Sequence, residues 1–337
     1  MKSHQNVPIS EELAERKGAH IELAHRAQTS TATVDSRFDY EPMFFTHPTI
    51  EDSWATTFLG HSLQYPLWIS SMTGGTDFAK KINQNLARLC GEYKLGMGLG
   101  SCRSLLYGEE RFSEFAVRTF MHDQPLFANL GLAQVEELIL QKNESLIHQM
   151  VSKLEASGLI IHLHPLQEGF QPEGDRYKMS PIITLTRFME KCSYPVIVKE
   201  VGQGMGPKSL KALLDLPIAG IELGAFGGTN FTMLESLRTK ESETKKPFIS
   251  VGHTASEMVD ILNGLNPQNK EFIISGGIKN VLDGYELKTK LRAPSVIGQA
   301  QAFLNPAIEG YDALETYFIS LRESLLTARG ILSVREN

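Results

Sequence analysis

From residue 67 onward the chain alternates between two patterns of apolar spacing. Short, nearly continuous apolar runs are each followed by stretches in which apolar residues return every three or four positions. The runs are LWISSM (67–72), LGMGLG (95–100), LFANLG (126–131), LIIHLH (159–164), VIVKEV (196–201), GIELGA (220–225), FISVG (248–252), FIISGG (272–277) and SVIGQA (295–300). Residues 78–93 and 135–157 are examples of the helical stretches. Strands that are apolar on both faces and joined by helices predict a parallel sheet covered on both sides. Nine runs are one more than a closed barrel needs. FISVG is the weakest, because the helical stretch 253–265 follows it at once and the next run begins only at residue 272. It is set aside as a loop or a short extra strand. The prediction is an α/β fold, a (β/α)8 TIM barrel over residues 47–337. An N-terminal helical segment, residues 1–46, precedes it. Within that segment residues 9–25 can form a helix, with Ser10 as N-cap and Leu13 as a buried contact. Residues 311–332 form a closing amphipathic helix.

Composition narrows the class. The chain has 337 residues, 42% hydrophobic and 21% charged, and can bury a full core without disulfides or metals. A formal net charge of −6 argues against non-specific nucleic-acid binding, though not against a small anionic substrate. The three cysteines, Cys90, Cys102 and Cys192, follow no zinc or CxxC spacing and suit a reducing cytoplasm. The first ten residues lack the apolar core of a secretory signal, and no apolar run reaches the roughly 20 residues of a membrane span.

In barrels of this kind the chemistry lies where strands end. The first run ends in Ser70, Ser71, Met72, Thr73, Gly74 and Gly75, and the second in Gly100, Ser101, Cys102 and Arg103. The third supplies Asn129 and Gly131, and the sixth is followed by Gly227, Gly228, Thr229 and Asn230. Ser275-Gly276-Gly277-Ile278-Lys279 follows the seventh strand, and Gly298-Gln299-Ala300 closes the eighth. Loops after strands seven and eight recurrently bind phosphate, and glycine-rich backbone at a helix N-terminus supplies the donors. A phosphorylated cofactor such as FMN fits there. Lys199, at the end of an apolar strand, needs a partner. Glu200 is a poor one, since neighbouring strand residues face opposite sides. In the barrel mouth Lys199 can stabilise an anionic reduced flavin.

Residues 160–168, IIHLHPLQE, place four polar groups behind an apolar run. On a strand His162 and His164 share a face and could offer two imidazoles to one metal. The plainer alternative is one hydrogen-bonded histidine and one incidental one. Gln167-Glu168 reads better as a magnesium site, because Mg²⁺ takes one or two carboxylates plus phosphate oxygens and water; spacing alone also allows an exposed pair in a loop.

Eight motifs, in order, resemble those of the type 2 isopentenyl diphosphate isomerases, a family of FMN-dependent (β/α)8 barrels. They are RKGAH (16–20), SSMTGGT (70–76), GLGSCR (98–103), ANLG (128–131), IHLHPLQE (161–168), VIVKEVGQGMG (196–206), GGTNF (227–231) and SGGI (275–278). The resemblance implies that Met72, Thr73, Gly74, Ser101, Asn129, Lys199, Thr229, Gly276 and Gly277 hold FMN, with Lys279, Ala300 and Gln301 on its phosphate side. It implies an isoprenoid diphosphate substrate lined by Arg16, Lys17, Ser101, Cys102, Arg103, His162, His164 and Gln167. Glu168 would bind Mg²⁺, with Gln167 and Glu168 the catalytic pair. NAD(P)H would reduce the flavin, and the N-terminal segment would act as a lid. The implied reaction converts isopentenyl to dimethylallyl diphosphate by proton addition and elimination. The implied assembly is a homo-oligomer, tetramer or octamer, in the cytoplasm. Four positions depart from the family pattern: His164 for asparagine, Cys102 for glutamine, Phe231 for tryptophan and Lys279 for arginine. Three other functions are open: an FMN barrel oxidase of the α-hydroxy-acid type, a hydrolase with metal on His162 and His164, and a non-catalytic flavin or diphosphate binder.

Overall fold

A computed structural model describes residues 11–71, 77–239 and 243–335. The chain forms two compact units, one of Met1–Asp39 with Arg335–Asn337 and one of Tyr40–Val334. The smaller holds the helix Glu11–Leu23, on which Arg16 and Lys17 are exposed and Leu13 is half-buried. Ser10, the expected N-cap, lies outside the described residues. Arg335 ties this unit together, its guanidinium on the Asp39 carboxylate at 2.8 Å.

The larger unit is a closed barrel of eight parallel strands. They are β1 (Leu67–Ile69), β2 (Gly96–Gly98), β3 (Leu126–Gly131), β4 (Gly158–Leu163), β5 (Val196–Glu200), β6 (Gly220–Glu222), β7 (Glu271–Ile274) and β8 (Ser295–Gln299). Each pairs with the next, and β8 returns to β1 with Ile297 opposite Leu67. The eight predicted strands all form. FISVG does not join the barrel; its first three residues end a 3-10 turn, Lys246–Ser250, and Val251 follows it in extended conformation.

Two expectations need correcting. Residues 135–157 are not one helix but two, Leu132–Leu140 and Ser145–Lys153. The polar stretch between them breaks the apolar spacing, and Lys142 turns the chain at φ 57°. Strand β4 also stops at Leu163. His164 is the N-cap of a short helix, Pro165–Phe170, because Pro165 has no N–H for the sheet ladder. The two histidines therefore do not share a strand face, although their rings stack with centroids 4.7 Å apart.

The interior is layered by the two-residue repeat of a strand. Trp68, Phe127, Ile160, Ile197, Ile273 and Val296 form the apolar lower layer. Two residues further along each strand stand Ser70, Asn129, His162, Lys199, Ser275 and Gly298, which line a cavity at the carboxyl ends. A hairpin, Thr56–Phe58 with His61–Leu63, closes the other end. It turns at Leu59 and Gly60, both at positive φ, the requirement of a tight hairpin. Phe58 meets Trp68 edge to face at 5.5 Å, and Trp68 meets Phe127 at 5.7 Å.

Because the indole is wholly buried in this layer, Trp68→Ala should cost about 3–5 kcal/mol. Urea unfolding checks it; a loss below about 1 kcal/mol would show that the layer is not the core that supports the cavity.

Candidate active site

The cavity at the carboxyl ends has a volume of about 670 Å³ and draws on loops from most strands. Its chemistry starts with an ion pair. Lys199 on β5 lies opposite Glu222 on β6, and its Nζ donates to Oε1 of Glu222 at 2.6 Å. Ser275 Oγ donates to the same oxygen at 3.1 Å and accepts the Gly224 N–H. Glu222 is 0% exposed, and its second oxygen has no hydrogen-bond partner. Glu200, the poor partner by strand parity, points away from Lys199. It accepts the N–H groups of Gly202, Gln203 and Gly204 at 2.6–2.9 Å. Burial pushes its carboxyl pKa up, opposed by those three donors.

His162 Nδ1 is 2.5 Å from Asn129 Oδ1, so Nδ1 carries the proton when this amide oxygen faces it. Burial, then the neighbouring His164 and Lys199, hold its pKa well below the usual value, and the ring is neutral. His164 is also neutral, pushed down to about 4 by burial. Its Nδ1 lies 3.1 Å from Glu168 Oε1 but has no hydrogen-bond partner. Glu168 stands behind the cavity wall. Its Oε2 accepts the Asp175 N–H at 2.6 Å, and burial raises its pKa. Gln167 is on the wall, with Nε2 3.4 Å from Glu235 Oε1.

Most of the expected flavin residues meet at the cavity. Ser101, Asn129, Lys199, Thr229, Gly276, Gly277, Lys279, Ala300 and Gln301 all line the cavity. Gly276 and Gly277 sit at φ 86° and 71° against the β6 loop. A Cβ on Gly276 would lie 2.2 Å from Ala225 N, so only glycine brings the two loops together. The helix Gln301–Glu309 begins at the same place and turns its N-terminal end toward the loops. The hydroxyls of Ser70 and Ser71, on residues that line the cavity, are buried without partners. Met72, Thr73 and Gly74 lie outside the described residues.

The expected substrate residues divide. Ser101, His162, His164 and Gln167 line the cavity. Arg103 pairs with Asp175 at 3.0 Å beside it. Cys102 is wholly buried, its Sγ donating to Gly100 O at 3.3 Å, and burial pushes the thiol up to about 12. Arg16 and Lys17 belong to the smaller unit. A divalent cation fits the His164–Glu168 pair, where a buried carboxylate faces an unpartnered ring nitrogen. Among the described residues no group of three His, Cys, Asp or Glu could hold a metal, which leaves the HxH hydrolase without a third ligand. Sequence reasoning missed Glu222, Asp175 and Glu235. Glu222 had a signal, a carboxylate inside an apolar strand, the same signal that marked Lys199.

Fold and cavity together define a barrel enzyme whose site is built from backbone-rich loops at the strand ends. No family model matches the chain. Curated relatives do. The isopentenyl-diphosphate delta-isomerase of Rickettsia rickettsii (strain Sheila Smith) is 35% identical over 315 residues, 91% of this chain and 88% of the relative. That of Hydrogenovibrio crunogenus (strain DSM 25203 / XCL-2) is 33% identical over 335 residues, 97% and 91%. A flavocytochrome b2 mutant with pyruvate bound superposes at TM-score 0.57 with 15% identity, covering 95% of this chain and 81% of that one. A mandelate oxidase mutant with the monooxide FMN adduct gives TM-score 0.53 with 11% identity, 85% and 82%. These two share the barrel fold. The chain belongs to the isopentenyl-diphosphate delta-isomerase family, and its barrel and ordered motifs place it with the type 2 isomerases.

The Lys199–Glu222 pair gives a prediction about the site's construction. Glu222→Ala leaves a buried ammonium unpaired and should cost about 3–5 kcal/mol. Lys199→Met with Glu222→Leu should restore most of that stability. A double-mutant cycle on urea unfolding decides; additive losses would mean that the two charges are not coupled.

Proposed function

We propose that the protein converts isopentenyl diphosphate to dimethylallyl diphosphate, with reduced FMN in the cavity and Mg²⁺ on the diphosphate. The observation that carries this is the match to curated isomerases over 91% of the chain. The cavity supports it, since the residues that line it include those the motifs point to.

The reaction adds one proton at the terminal alkene carbon and removes one from the neighbouring methylene, so it has no net redox change. When bound, reduced FMN supplies an electron-rich face and a proton-carrying N5 edge. Everything else falls to the chain. The glycine loops after β6 and β7 and the start of the helix Gln301–Glu309 hold the phosphate end by backbone donors. Lys199, held by Glu222, would supply a positive charge to answer the negative charge of reduced FMN. Ser101, Gln167 and Arg103 hold the diphosphate, Arg103 after leaving or sharing Asp175. His162 donates to a phosphate oxygen through Nε2 only if Asn129 presents its NH₂ to Nδ1. That makes Asn129 the group that sets the tautomer. Gln167, on the wall and held by Glu235, is the amide assigned to assist the proton transfer. NAD(P)H supplies the initial reduction.

Purified protein with FMN, Mg²⁺ and NADPH under low oxygen should interconvert the two diphosphates. Absence of conversion, with flavin bound and reduced, would defeat the proposal. Net oxidation of a 2-hydroxy acid instead would favour the oxidase that the fold also resembles. Glu168→Gln should retain flavin and lose Mg²⁺-dependent turnover by at least about 100-fold; turnover at the original rate would remove Glu168 from the metal role.

A further inference from the structure

His164 and Glu168 bring a ring nitrogen and a carboxylate oxygen face to face without a hydrogen bond between them. His164 caps the helix Pro165–Phe170 and Glu168 lies four residues on, so both project from one side of its first turn. Nδ1 and Oε1 are 3.1 Å apart, yet out of line for a hydrogen bond, and Nδ1 has no other partner. Both side chains are more than nine-tenths buried, at 8% and 6% exposure. Two ligands at about 2.1 Å from one cation, at right angles around it, lie about 3.0 Å apart. The observed separation, 3.1 Å, matches that spacing.

The surroundings support the same conclusion. Oε2 of Glu168 is fixed by the Asp175 N–H at 2.6 Å, leaving Oε1 as the free oxygen. Asp175 is itself held beside the pair, its Oδ2 accepting from Arg103 at 3.0 Å and from Gln134 at 2.8 Å. With only two protein donors the site is open, and its remaining positions are left to water and phosphate oxygens.

We infer that His164 Nδ1 and Glu168 Oε1 together bind one divalent cation, and that the imidazole makes this chain prefer Mn²⁺, Co²⁺ or Zn²⁺ to Mg²⁺. An aromatic nitrogen favours the later first-row ions, whereas Mg²⁺ is held best by oxygen alone. The inference rests on the metal role proposed for Glu168 and adds a second ligand to it.

The test uses the full chain loaded with FMN and Mn²⁺ as the probe. Loss of the free Mn²⁺ electron paramagnetic resonance signal counts bound metal, and pulsed measurements detect a ligand nitrogen. One Mn²⁺ per chain is expected, with the ¹⁴N coupling of one imidazole and at least about tenfold preference over Mg²⁺ in competition. His164→Asn should lose the coupling and bind Mn²⁺ about tenfold more weakly, with Mg²⁺ affinity little changed. Glu168→Gln should lose both metals. Mn²⁺ bound at the original affinity in His164→Asn, or bound in the unaltered protein without nitrogen coupling, overturns the inference and leaves Glu168 as a metal ligand. Unchanged binding in Glu168→Gln overturns the metal role as well. The nitrogen coupling of the unaltered protein needs no variant, so misfolding of either variant leaves the test decisive.

Discussion

A closed parallel barrel admits one side chain inward for every two residues of strand, and the rest of this structure follows from that restriction. The inward face must be apolar low in the barrel, where nothing can solvate it, and can turn polar only in the last inward position. Phe127 gives way to Asn129, Ile160 to His162, Ile197 to Lys199 and Ile273 to Ser275. The active-site layer is therefore one residue deep and rests directly on the core. A change in Trp68 or Phe127 is a change in the floor of the cavity.

That thin polar layer must satisfy itself. Lys199 cannot reach Glu200 across its own strand, so β6 supplies Glu222, and β7 adds Ser275 to the same oxygen. Glu200, on the outward face, folds the loop after β5 by collecting three N–H groups. One dipeptide thus performs two tasks: an inward cation for the cavity and an outward anchor for the loop that borders it. The pattern explains how a buried lysine persists at the end of an apolar strand. Its charge is already matched before any ligand arrives.

The barrel was legible because both-face apolar runs are long and evenly placed, and the one doubtful run, FISVG, lacks a strand's neighbours on either side. Local breaks were harder to read. The separation of Leu132–Leu140 from Ser145–Lys153 depends on Lys142 adopting a positive φ, which residue type alone does not mark. Pro165 did mark the end of β4, and reading it as a helix start rather than a strand residue would have removed His164 from the HxH face. Single residues at strand ends were visible: Lys199, Asn129, Gln167 and the two glycine loops. Their partners were not, because Glu222, Asp175 and Glu235 are far away in sequence and come together only through strand register and loop packing.

The loops after β6 and β7 are drawn together at Gly276 and Gly277, and the proposed function makes them the cradle for the phosphate of a flavin nucleotide. Binding of FMN and of riboflavin by the full chain, compared by quenching of flavin fluorescence, tests it most directly. FMN should bind at one per chain and at least about 100-fold more tightly than riboflavin, which lacks the phosphate. Equal affinity for the two, or no binding of either, would contradict the account.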